Sequence, residues 1–60
     1  MVDPLVVRLR EKRKELGLSQ RALARDIGVG HGHLCLIETG RVDPKLSTLR
    51  RMADRLEEAL

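Results

Sequence analysis

The two histidines and the single cysteine of this sequence, His31, His33 and Cys35, stand in one run, H-x-H-x-C. On a helix only His31 and Cys35 share a face, and a closed zinc site needs four ligands, for which no further His or Cys exists. Metal binding is therefore not expected, and Cys35 reads as a small, semi-buried apolar residue. No serine, histidine and acid can be assembled at helical spacing, and no glycine loop ends in Lys-Ser or Lys-Thr to cradle a phosphate. The chain is thus not expected to be an enzyme or to need a cofactor. What remains is recognition. Twelve Lys and Arg against nine Asp and Glu, a net charge of +3, favour an acidic partner. With no Phe, Trp or Tyr on which single-stranded bases could stack, duplex DNA is the better nucleic-acid partner.

The elements that must position these side chains lie between Leu18 and Arg41. Ser19 is a good N-cap. Leu23, Ala24 and Ile27 then recur at helical spacing and stop at Gly28, a residue suited to the left-handed C′ position. Val29 is an apolar turn residue, Gly30 can occupy a second N-cap, and Leu34 and Ile37 mark an inward stripe that Gly40 terminates. Two short helices over about 20–27 and 31–39 follow, joined by a tight turn. Small Ala24 lets them approach, and positive φ at Gly28 lets their axes cross steeply.

Leu18-Ser19-Gln20, Leu23-Ala24, Gly28 and Glu38-Thr39-Gly40 resemble the pattern of the phage-repressor, Cro and Xre-like family of helix-turn-helix DNA-binding domains. The likeness runs from about Leu9 to about Leu56. It implies an all-α, compact four-helix domain, lambda-repressor-like, whose third helix reads the major groove of duplex DNA. It further implies a transcription regulator acting as a homodimer on a palindromic site. In such a fold the first residues of the reading helix meet base edges and the flanking residues grip phosphates.

Carried over residue by residue, Gln20 stands where relatives bond phosphate and brace the reading helix; without that role it is a solvated first-turn residue. Arg21 beside it is a weaker candidate. Gly30, His31, Gly32 and His33 form the leading turn of helix three. Two glycines there weaken the helix by about 1 kcal/mol each relative to alanine, and imidazole lacks the two-pronged geometry with which Gln or Arg discriminates a base. Leu36, one turn on, is expected to be exposed, either against thymine methyl groups or as part of a protein-binding patch. Thr39, Arg41 and Lys45 follow as phosphate contacts. The resemblance also pairs Arg13 of helix one with Glu38 of helix three as a partly buried ion pair.

Around this core the sequence reads as one domain, residues 1–60. Asp3 and Pro4 open helix one, over about 4–16, which Gly17 stops. Leu5, Val6, Leu9 and Leu16 form its inward face, while Arg8, Arg10, Glu11, Lys12, Lys14 and Glu15 form a solvated one. After the loop at Asp43-Pro44, Leu46, Leu49, Met52, Ala53, Leu56 and Leu60 line one face of a fourth helix expected over about 46–59. The family usually breaks that helix with a glycine and adds a fifth; LEEAL reads instead as continuous helix, leaving Leu56 and Leu60 for a pairing surface. No apolar run is long enough to span a bilayer, and the N-terminus lacks the features of a signal peptide, so a cytoplasmic location is expected. The rival reading is an adaptor or antitoxin-like protein-interaction module on the same fold, presenting Leu36 and the Leu56 to Leu60 end.

Overall fold

The computed structural model describes residues 2–58. Helix α1 is Pro4–Glu15, α2 is Gln20–Ile27, α3 is His31–Glu38 and α4 is Leu46–Arg55. Each start has a local cause. Asp3 accepts the Leu5 N–H at 2.8 Å with Pro4 following, and Ser19 Oγ accepts the Ala22 N–H at 3.0 Å. A side-chain cap of this kind contributes about 1 kcal/mol. By contrast α3 and α4 begin behind Gly30 and Lys45 with no side-chain cap, so tertiary contacts must hold their first turns.

The turn between α2 and α3 depends on Gly28 at φ 78°, which lets the Val29 N–H close on Ala24 O at 3.0 Å. Gly40, also at φ 78°, has a second constraint. A Cβ there would meet Val2 Cγ2 at 2.9 Å, because the N-terminal strand of chain crosses the end of α3.

Helix α2 sits centrally, packed on both α3 and α4, while α1 closes over α3. The core they enclose is Leu9, Leu23, Ala24, Ile27, Leu34, Met52, Ala53 and Leu56. Burying a Leu or Met of this set contributes about 1.5–3 kcal/mol. In a chain of this size, which buries only about 60% of its unfolded surface, each such residue matters.

Four expectations are corrected here. Leu16 and Leu46, assigned to inward faces, are 48% and 60% exposed. Leu16 is the C-cap beyond the last turn of α1, and Leu46 is the first residue of α4, so neither lies on the stretch of its helix that another element covers. Helix α4 ends at Arg55, short of 59, and Leu56 is fully buried rather than left for a partner. The chain turns because Glu57 adopts φ 55° and the Glu58 N–H reaches back to Ala53 O at 2.8 Å. Leu56, one turn beyond Met52 with its N–H on Met52 O at 2.9 Å, keeps the helical register and lies in the core, and beyond the turn Glu58 meets Arg8 at 2.8 Å. Leu60 lies outside the described residues.

Candidate nucleic-acid interface

The leading ends of α2 and α3 are joined by a chain of hydrogen bonds that starts in the interior. Glu38, 1% exposed, receives Arg13 on both oxygens: Arg13 Nε donates to Oε2 and Nη2 to Oε1, each at 2.9 Å. Arg13 Nη1 donates to Leu18 O at 2.8 Å. The guanidinium thereby ties α1 to the loop before α2 and to α3 at once. Buried charges are tolerated when paired and fully hydrogen-bonded in this way.

Gln20 extends the chain outwards. Its Nε2 donates to Glu38 Oε1 at 3.1 Å, and its Oε1 lies 3.2 Å from His31 Nε2. The first residue of α2 therefore holds the side chain of the first residue of α3. Gln20 is half-buried and both ends of its amide are engaged, but Nε2 carries a second N–H. That proton is directed at none of the described residues and is available to an outside acceptor.

Arg10 was expected on the solvated face of α1, and here the structure differs. Its Nη1 donates to Glu38 O at 3.0 Å, satisfying a carbonyl at the C-terminus of α3. At the other end of the helix pair, Arg51 of α4 donates to Ile27 O at 3.4 Å, a long bond to the C-terminal carbonyl of α2. No motif announces either contact, since each depends on which helix end happens to lie alongside.

The remaining candidates fall into two sets. Arg21, Gly30, His31, Gly32, His33, Leu36, Thr39, Arg41 and Lys45 are all exposed. Burial of Leu34, Ile37 and Glu38 turns the opposite side of α3 outwards, where His33 and Leu36 adjoin at three-residue spacing and Gly32 and Leu36 at four. Leu36 is 39% exposed, enough for its end to touch a partner. Arg21, Arg41 and Lys45 bond no side chain among the described residues, so their charges are unspent.

Thr39 is different. Its hydroxyl proton is held by Cys35 O at 2.9 Å, with Leu36 O at 3.3 Å, so it can accept but not donate without leaving its own helix. Phosphate oxygens accept, and Thr39 is therefore a poorer phosphate contact than the sequence suggests. Cys35 is free and half-buried. Among the described residues no three His, Cys, Asp or Glu side chains group as metal ligands, and no helix is long and apolar enough to cross a membrane.

Comparison with known proteins agrees with this architecture. A profile of the helix-turn-helix domain matches residues 4–58, nearly the whole chain. A protein of Methanothermobacter thermautotrophicus, named an uncharacterized HTH-type transcriptional regulator, is 44% identical over 48 residues, covering 80% of this chain and 70% of that protein. With α2 and α3 crossing at Gly28 and clamped at their leading ends through Gln20, the chain belongs to the helix-turn-helix domain family.

Proposed function

We propose that this chain is the duplex-DNA-binding domain of a transcription regulator, with α3 in the major groove. The observation that carries the reading is the clamp of Arg13, Glu38, Gln20 and His31. It holds the leading turn of α3 in a defined place while the outward side of that helix stays exposed. A helix presented in this way fits a groove about 12 Å wide. Arg21, Arg41 and Lys45, unpaired at the surface, then serve as phosphate contacts, and Gln20 contributes its second amide proton. His31, His33 and Leu36 face base edges, and Gly30 and Gly32 allow the backbone to approach closely. The relative's name supports a role in transcription.

The same reading has two copies bind a palindromic site, since helix-turn-helix domains of this kind match operator symmetry with their own. Leu46, the most exposed large apolar residue among those described at 60%, supports a contact between copies at the start of α4. The alternative, a protein-interaction module with little DNA affinity, keeps Leu36 but loses Leu56, which the core occupies.

Titration of random duplex DNA at low and at moderate salt tests the proposal. Affinity should fall steeply and linearly on a log–log plot as phosphate contacts release counterions. Weak binding with no salt dependence would sink it in favour of the protein-interaction module.

A further inference from the structure

The clamp does more than hold His31: it dictates which atoms of the ring carry protons. A carboxylate paired to Arg13 on both oxygens is an acceptor only, so the Gln20 group facing Glu38 Oε1 must be the amide NH2. The Gln20 oxygen is then left for His31, at 3.2 Å, and a carbonyl oxygen can only accept. His31 Nε2 must therefore bear a hydrogen and donate it. In the neutral ring the proton is on Nε2, and Nδ1 is a lone-pair acceptor. No described residue bonds Nδ1, and His31 is exposed.

We propose that His31 is a specificity-determining residue whose free nitrogen is made a hydrogen-bond acceptor by the chain Arg13, Glu38, Gln20, His31, so that it selects a base bearing an exocyclic amino group. The inference rests on the DNA-binding reading. In the major groove the partners for a lone acceptor are adenine N6 and cytosine N4, whereas guanine N7 and O6 and thymine O4 only accept. Protonation of the ring adds a hydrogen at Nδ1 while leaving the Nε2 bond to Gln20 intact. The same side chain then becomes a donor, and its preference moves to the bases that offer it acceptors, guanine N7 and O6 or thymine O4. Gln20 is a positioning residue in this scheme, since it acts on the base only through His31.

Few groups face the ring. From α2 it meets the uncharged Gln20 amide; behind that, Glu38 of α3 is offset by Arg13 of α1. On its own helix His33 lies about 200° round the axis.

Two experiments decide. The first needs no DNA: in protein labelled with 15N at histidine, the neutral His31 ring should carry its proton on Nε2, and a proton on Nδ1 overturns the proposal outright. The second is parallel enrichment from a randomised duplex library at about pH 8 and about pH 5.5, the range over which histidines change charge. Wild-type protein should enrich one base position in adenine or cytosine at the higher pH and in guanine or thymine at the lower. A change of about fivefold to tenfold is expected, because a single bond discriminates at the lower end of the usual range.

Two variants control for charge and structure. His31→Gln, able to donate and accept together, should give one preference at both pH values. Gln20→Glu places a carboxylate against the ring, favours the doubly protonated form, and should bring the guanine or thymine preference to the higher pH; circular dichroism verifies its fold. A motif that is enriched but insensitive to pH and to either variant overturns the inference while leaving DNA binding in place. A library that yields no enriched motif at any pH overturns the sequence-reading function itself.

Discussion

Two joints of this domain share one apolar core and differ in what else they contain. Where α2 meets α4, contact is made by Ala24, Ile27, Met52, Ala53 and Leu56, with ion pairs such as Asp26 with Arg55 only at the rim. Where α1, α2 and α3 converge, Leu9, Leu23 and Leu34 belong to the same core, but Arg13 and Glu38 are buried there as well, and from them polar bonds run outwards to Gln20 and His31. Apolar packing is non-directional and tolerates small shifts in angle; a bidentate ion pair fixes distance and orientation together. The polar joint stands behind the candidate reading surface and the apolar joint does not. The fold uses burial for stability and directional bonds where a helix must be presented in one orientation.

The largest expected effect breaks the polar joint. Arg13→Ala or Glu38→Ala should each cost about 3–5 kcal/mol, because the surviving charge stays buried without a partner. The double variant should lose much less than the sum. Denaturant unfolding in a double-mutant cycle measures this, and additive losses would show that the two residues do not act as a unit.

Next comes the apolar joint. Met52→Ala should cost about 2–5 kcal/mol by leaving a cavity. The variant is expected to bind DNA with wild-type sequence preference once folded fractions are equalised by temperature. Altered preference would mean that the α2 and α4 joint also sets the angle of α3, and the contrast between the joints would fall.

Smaller effects separate gripping from reading on the surface that the polar joint presents. Substitution of His33 or Leu36 by Ala should cost about 1–3 kcal/mol on an operator and little on random DNA. Arg41→Gln or Lys45→Gln should weaken binding to all duplexes alike and flatten the salt slope by about one unit. Fluorescence anisotropy on both kinds of duplex, measured side by side, distinguishes these patterns. Equal losses on both duplexes for the helix-three variants would show that α3 does not read sequence.

The smallest effect is expected at the rim of the apolar joint. Asp26 and Arg55 meet at 2.7 Å but stay 26% and 41% exposed in their side chains. Solvent screening limits such a pair to about 0.2–1 kcal/mol, so Asp26→Asn should shift the melting temperature only slightly. A loss as large as that of Glu38→Ala would show that the two joints do not differ in kind.

Much of the framework follows from local chemistry alone. Asp3, Pro4 and Ser19 start helices because their effects act within one turn, and Gly28 ends one because left-handed φ is a property of a single residue. The inward stripe of Leu34 and Ile37 is legible for the same reason: helical periodicity assigns a face without knowledge of the partner. Periodicity failed at helix ends. Leu46 fits the stripe of α4 yet is exposed, whereas Leu56 fits it and is buried although the helix ends at Arg55. A stripe says which side would be covered; only the packed neighbours say how far along the helix the cover extends.

The contacts that define the site lie beyond such rules. Arg10 looks like its solvated neighbours Arg8 and Lys12, but the end of α3 lies within its reach and it bonds Glu38 O. Gln20 and Glu38 stand 18 residues apart and His31 and Gln20 11 apart, so no periodicity relates them. From the sequence came the helices, the caps Asp3 and Ser19 and the outward position of Leu36. Tertiary structure alone decided that one amide joins a buried ion pair to the first residue of α3, because a hydrogen bond requires atoms within about 3 Å, and only the converged helices place them there.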